Sequence, residues 1–184
     1  MEKKISTGDY FKLQETNRPM ELVYGYVREP PSPFYSHQVV VGRMFRLLAA
    51  HVEQSHLGVV CVAPLDVILD QETDLIVQPD LLFVAQARLE IVKDQVWGAP
   101  DLVVEVESPT SEHRDRTLKL TWYRRYGVKE YWQVDPRDRR IDIVDCVSNT
   151  RTALAAHDRV QSKILPAFAA TVEEFFNQAR FPVP

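Results

Sequence analysis

The chain has little of what would staple, anchor or export it. It has 184 residues and only two cysteines, Cys61 and Cys146. Two thiols that far apart make neither a disulfide framework nor a cysteine-rich zinc site, and both are expected reduced. Met1 to Thr7 lacks the apolar core of a signal peptide. No apolar run approaches the length of a membrane span. These features lead to an expectation of a cytoplasmic protein with no membrane partner. Internal repeats and low-complexity linkers are also missing. Basic excess is missing too: 22 Lys and Arg stand against 26 Asp and Glu, for a net charge of −4. That is a poor overall footprint for a nucleic-acid binder, which normally presents basic surface. Any such binding needs a local patch, and the best candidate is Arg114, Arg116, Lys119, Arg124, Arg125 and Lys129. A solvated helix face explains the same residues.

What is present is a substantial core. Hydrophobic residues make up 45% of the chain, enough to fold residues 1–184 as one domain. Ser6 or Thr7 caps a short first helix, and Met20–Tyr24 with Tyr26–Glu29 predicts a hairpin around Gly25. Ser36 is expected to cap a helix to about Gln54, with Val40, Met44, Leu47, Leu48 and His51 as its buried stripe. Val59–Val62 and Leu65–Leu69 read as two strands, or one bent at Pro64.

The stretch from Pro79 to Lys119 carries the chemistry. Leu102–Val106 is a Val-rich run between Pro100 and Pro109, which favours a strand. Alternation puts Asp101, Val103, Glu105 and Glu107 on one face. Asp80 opens a second apolar run, Leu81–Val84, behind Pro79. If the runs are neighbouring strands, Asp80 and Glu105 converge at their ends. Carboxylates in apolar runs are costly to bury unless paired or bound to metal. An all-oxygen ligand set suits Mg²⁺ or Mn²⁺ rather than zinc. A helix from about Arg114 to Tyr126 follows, with Leu118, Trp122 and Tyr126 on one stripe and Asp115, Lys119 and Tyr123 on the next. A strand at Glu130–Val134 completes a β-α-β crossover that can bring Lys119 over the acids. Plainer readings exist for each residue. Asp115 and Lys119 also fit a helix ion pair worth about 0.3–0.5 kcal/mol. Glu107 also fits a solvent-facing strand end, Asp101 a strand-start cap and Asp80 a turn residue. Asp66 could line the same cleft or belong to a polar strand face.

Taken together, Gln78-Pro79-Asp80-Leu-Leu-Phe-Val, Ala99-Pro100-Asp101-Leu-Val-Val-Glu105-Val-Glu107-Ser108-Pro109 and Lys119 with Tyr123 resemble the PD-(D/E)XK nuclease superfamily. More closely, they are similar to the Uma family of bacterial restriction-endonuclease-like proteins. Met20-Glu21-Leu-Val-Tyr-Gly25 and Glu130-Tyr131-Trp132 extend the likeness. The resemblance implies a restriction-endonuclease-like α/β fold: a mixed central β-sheet flanked by helices. It implies a metal-dependent endonuclease hydrolysing DNA phosphodiester bonds, with Mg²⁺ or Mn²⁺ on Asp80 and Glu105. Glu107 is a further metal candidate, and the Val106 carbonyl a possible ligand. The superfamily's lysine belongs two residues after the second acid, where this chain has Glu107. The resemblance moves that role to Lys119 on the following helix. Glu21, His37 and Tyr123 are accessory candidates, although a surface histidine also fits His37. DNA and a second copy of the chain, as a homodimer, are the expected partners.

Glu107 at the lysine position and the acidic net charge motivate an alternative, a non-catalytic dimeric interaction or DNA-binding module on the same fold. A glycosidase with paired carboxylates would need aromatic platforms. Trp97, Trp122 and Trp132 look more like core or loop anchors.

Overall fold

The computed structural model describes residues 4–13, 16, 18–108 and 113–176, without the side chains of residues 113–116. The motif residues Pro109 to Ser111, and the Arg114, Asp115 and Arg116 side chains, lie outside the described part.

Helix α1 (Thr7–Tyr10) is capped by Ser6, whose side chain accepts from the Asp9 N–H. Strands β1 (Glu21–Val23) and β2 (Tyr26–Arg28) form the expected hairpin. Tyr24 and Gly25 turn it with φ of 52° and 87°. Positive φ at both loop positions matches the twist of the strands, and a glycine tolerates it without strain. Helix α2 (Tyr35–Gln54) begins two residues earlier than expected. Phe34 occupies its cap position with no side-chain hydrogen bond, so Ser36 is not the cap. Its buried stripe includes His37, Val40, Val41, Met44, Leu48 and Val52. His51 instead lies at the helix edge, 3.0 Å from the Pro166 carbonyl.

Next come β3 (Gly58–Val62), β4 (Val67–Asp70), β5 (Leu75–Val77) and β6 (Leu81–Ala85). A 3₁₀ turn (Gln86–Ile91), β7 (Val96–Trp97) and β8 (Leu102–Val106) follow. Then come α3 (His113–Tyr126), β9 (Glu130–Asp135), β10 (Arg140–Asp145), β11 (Thr150–Ala155), β12 (Arg159–Val160), β13 (Ala170–Thr171) and α4 (Val172–Phe176).

The expected mixed central sheet flanked by helices is present, and a second sheet accompanies it. There are two large sheets: a six-stranded one ordered β11-β10-β9-β8-β6-β3 and a five-stranded one ordered β2-β1-β5-β4-β7. The chain leaves the first sheet after β3 at the cis Ala63–Pro64 peptide. It returns at Pro79-Asp80, so the two apolar runs flanking Pro64 belong to different sheets. The elements of the six-stranded sheet's core run α2, then β3, β6 and β8, then α3 and β9. β8 and β9 are parallel, and α3 makes the crossover between them.

Both faces of the six-stranded sheet are buried, so its central strands read as continuous apolar runs rather than alternating ones. Leu81, Phe83, Leu102, Val104, Trp132 and Val134 pack under α2 and α4. Leu82, Val84, Val103 and Tyr131 face the other way, against Trp122 and Tyr123 of α3 and the inner residues Val23, Val67, Leu75 and Val77 of the five-stranded sheet. Leu22, Ile68 and Ile76 on that sheet's far side pack with Tyr10 of α1. The candidate acids lie where these layers meet.

Candidate functional site

β6 and β8 are antiparallel, with Leu81 opposite Val104 and Leu82 opposite Val103. Carried one step further, that register sets Asp80 opposite Glu105, at the open end of the pair. Asp80 is held there by two contacts. Its Oδ2 accepts the Val106 N–H at 2.7 Å and lies 3.2 Å from His37 Nε2. His37 is buried, not a surface residue, because the amino end of α2 abuts this rim. Burial lowers the tendency of the ring to carry a proton. Asp80 and the Val106 carbonyl outweigh it, so the net shift of the imidazole pKa is upward.

Glu105 belongs to a second group of contacts. Its Oε1 accepts the Tyr123 hydroxyl at 2.6 Å and the Lys119 ammonium at 3.0 Å. The same ammonium lies 3.1 Å from Glu21 Oε1. Glu21 stands on β1 of the five-stranded sheet, and Glu105 on β8 of the six-stranded one. Lys119 therefore bridges the two sheets from α3 through an ion-pair triad that is mostly buried. Tyr123 and Lys119 are four apart on α3 and share a face, which is why one carboxylate oxygen receives both. Burial is the main reason the Glu105 carboxyl is pushed up to about 7. Lys119 opposes that shift, while the charges on Asp80 and Glu21 add to it. Tyr123 is pushed well above the ordinary phenol range, first by burial and then by Glu105, so it remains a donor.

The structure thus brings Asp80, Glu105, Lys119, Glu21, His37 and Tyr123 to one rim. Glu107 is directed elsewhere: its Oε1 accepts from Gln133 Nε2 at 3.0 Å, on the neighbouring strand β9. Among the described residues no three His, Cys, Asp or Glu side chains form a cation-binding group. The structure therefore does not gather Glu107 as a third ligand with Asp80 and Glu105. Of the proposed basic patch, the Arg114 and Arg116 side chains lie outside the described residues. Lys119 is committed to the acids, Lys129 to Asp101 at 2.6 Å, and only Arg124 and Arg125 of the described residues project from α3.

Sequence reasoning missed two positions that build the rim. Gln78, just before Pro79, donates its backbone N–H to Glu21 Oε1 and its Nε2 to Asp66 Oδ1, and accepts from the Met20 N–H. It thereby pins β1 to the segment that delivers Asp80. Its position in the motif gave a signal, but its partners are distant in sequence. Asp66 belongs to this support, accepting also from the Tyr10 hydroxyl at 3.1 Å. Asp101 is the other: it stands at the start of β8, as its strand-start reading has it, but its burial and its distant cations went unread. It is a fully buried carboxylate that accepts the Ala85 N–H and pairs with Arg88 and Lys129. Its hydrogen bonds and cations outweigh burial and hold it below the ordinary carboxylate range.

The donor set can be tested against a divalent cation. Asp80 and Glu105 each use one oxygen for contacts within the protein. Among the described residues, Asp80 Oδ1 and Glu105 Oε2 carry no hydrogen bond or ion pair. Three carboxylates meet one lysine and one histidine, so the rim has a surplus of acid even with the imidazole charged. Two carboxylates with spare oxygens suit Mg²⁺, which retains several waters and needs few protein ligands. The residues fit such an ion.

Three comparisons with known proteins bear on this geometry. None of the curated proteins compared matches the chain. Among solved structures, a protein from Anabaena variabilis ATCC 29413 described as "a putative nuclease belonging to DUF820" has the same fold. Its TM-score is 0.80 at 16% identity, covering 94% of this chain and 97% of that one. The family model Uma2, described as "Putative restriction endonuclease", matches residues 7–173. The restriction-endonuclease-like fold and the motif-bearing rim therefore go together, and the chain belongs to the Uma2 family.

Proposed function

We propose that the chain is a Mg²⁺- or Mn²⁺-dependent endonuclease that hydrolyses DNA phosphodiester bonds at the Asp80–Glu105 rim. The observation that carries this reading is the pair of acids opposite one another at the end of adjacent strands, each with one unengaged oxygen, beside a lysine. Asp80 and Glu105 would hold the ion. When bound, it supplies Lewis-acid polarisation of the phosphate and a more acidic water.

The remaining work falls to this chain's own side chains. Tyr123 and Lys119 fix the Glu105 carboxylate through Oε1, which leaves Oε2 as the ligand atom. The Val106 N–H and His37 do the same for Asp80, leaving Oδ1. Lys119, next to the ligand carboxylate, is placed to orient the attacking water or to stabilise charge building on the phosphoryl oxygens. Glu21 holds the ammonium from the opposite sheet and keeps it at the rim.

One observation favours a second reading. Lys119 already satisfies both Glu21 and Glu105 by itself, which would suit a non-catalytic module on the same fold. Plasmid cleavage in Mg²⁺ or Mn²⁺ separates the two. The nuclease reading expects nicking or linearisation by the wild type and its loss in Asp80→Asn and Lys119→Met. Wild type that is inert on supercoiled, relaxed and single-stranded DNA, or an Asp80→Asn variant that cuts equally well, leaves the non-catalytic module.

A further inference from the structure

A cavity of about 350 Å³ opens at the amino end of α2. Tyr35, Val39 and Val40 of that helix line it, with Pro136 and Arg139 from the β9–β10 turn and Phe176 of α4. Two connections tie it to the acids. Ser36, also in the lining, directly precedes His37, whose ring lies on Asp80. Pro136 directly follows β9, whose end runs beside the Glu105 end of β8, Val106 pairing with Val134. Cavity and acids therefore share one rim of the six-stranded sheet.

Val40 and Phe176 belong to the core, but core packing does not account for Tyr35 and Arg139. Tyr35 is 75% exposed, a large aromatic ring left at the edge of an apolar hollow. The exposed Arg139 sets its guanidinium 5.9 Å from the centre of the Phe176 ring. Aromatic faces beside a cation are the chemistry that takes a flat π-system next to a phosphate. The volume is at the low end of the roughly 300–1,000 Å³ typical of ligand pockets. It suits one nucleoside, not a length of duplex.

We propose that this cavity holds a single unstacked base of the nucleic-acid strand whose phosphate lies at Asp80 and Glu105. The proposal rests on the nuclease reading for the phosphate. It adds to that reading a preference for single-stranded or locally opened DNA, since a stacked base cannot enter.

The test is binding of the full chain, in EDTA, to a fluorescently labelled single-stranded oligothymidylate and to the same strand carrying abasic sites. The two strands have equal phosphate charge, so the salt-dependent electrostatic attraction cancels between them. Base loss is expected to weaken wild-type binding about tenfold, the scale of one base–aromatic stack. In Tyr35→Ala, and in Val39→Trp, which fills the cavity from a half-exposed helix position, that penalty should shrink to within about twofold. An abasic penalty as large in both variants as in the wild type, or no penalty in the wild type, overturns the subsite. Plasmid cleavage is scored separately. An abasic penalty confined to Tyr35 without cleavage upholds the base site and removes the nuclease, whereas cleavage without the penalty removes the base site alone.

Discussion

Lys119 sits 3.1 Å from Glu21 and 3.0 Å from Glu105, and its loss leaves two carboxylates facing each other across a mostly buried gap. Removing one partner of a buried ion cluster typically costs about 3–5 kcal/mol, because the remaining charges are uncompensated. Lys119→Met is therefore expected to lower unfolding free energy by about 3 kcal/mol near pH 8. The loss should be smaller near about pH 6, where Glu105 takes up a proton and removes one of the facing charges. Urea denaturation at the two pH values measures it, and equal losses would contradict the triad. Glu105 has its own pH signature. Its folded carboxyl is raised from 4.5 to about 7. Between those values the folded protein holds a proton that the unfolded chain has released. Stability from this residue is thus highest in acid and declines as pH rises through the window, on the order of 3 kcal/mol in all. Glu105→Gln should flatten that slope, and an unchanged slope would assign it to another group. Asp80 and Glu105 were legible in the sequence because each stands at an end of an apolar run, where an unpaired acid needs a reason. His37 and Asp101 were not. Their burial depends on which helix end and which distant cations arrive, and no local period records that.

At the scale of elements, two features hold the rim's strands in place. Gly58 opens β3 at φ 149°, and a Cβ there would come within 2.0 Å of the Val84 carbonyl oxygen. Backbone cannot yield as a flexible side chain can, so Gly58→Ala must shift the β3–β6 pairing. A stability loss of about 2 kcal/mol or more is expected in thermal or urea unfolding, and a variant as stable as wild type would contradict the close approach. Asp101 fixes the start of β8. It accepts the Ala85 N–H from β6 at 2.9 Å and pairs with Arg88 and Lys129. Asp101→Asn leaves those cations without their counter-charge, and a cost of about 3 kcal/mol is expected at neutral pH. Because its folded pKa is lowered, the stability from Asp101 is present above the ordinary carboxylate range and is lost as pH falls through the folded value. The wild-type advantage over Asp101→Asn should accordingly vanish in acid. The long periodic helices and the Val-rich strands were readable from the sequence. β5 and β7 have only three and two residues, too few to show any period. The division into two sheets was hidden for a related reason. It turns on where the chain leaves the first sheet after β3, and Pro64 marked a bend without saying that the strands beyond it change sheet.

Over the whole molecule, the acidic balance of −4 leaves little for long-range attraction to DNA. On the proposed nuclease reading, recognition comes from short-range contacts at the rim, where the acids, Lys119 and the cavity lie together. On that reading, the architecture also lets a lysine off the strand serve the rim. The strand position two beyond Glu105 points Glu107 to Gln133 of β9. α3, lying over the same face, supplies the ammonium from Lys119 instead. The nuclease reading depends on Asp80 and Glu105 sharing one divalent ion. Calorimetric titration of Mn²⁺ into the wild type, Asp80→Asn and Glu105→Gln measures this most directly. The account predicts one site per chain in the wild type, lost in both variants while their folds persist by circular dichroism. Undiminished Mn²⁺ binding in either variant, or no binding heat in the wild type, would contradict it.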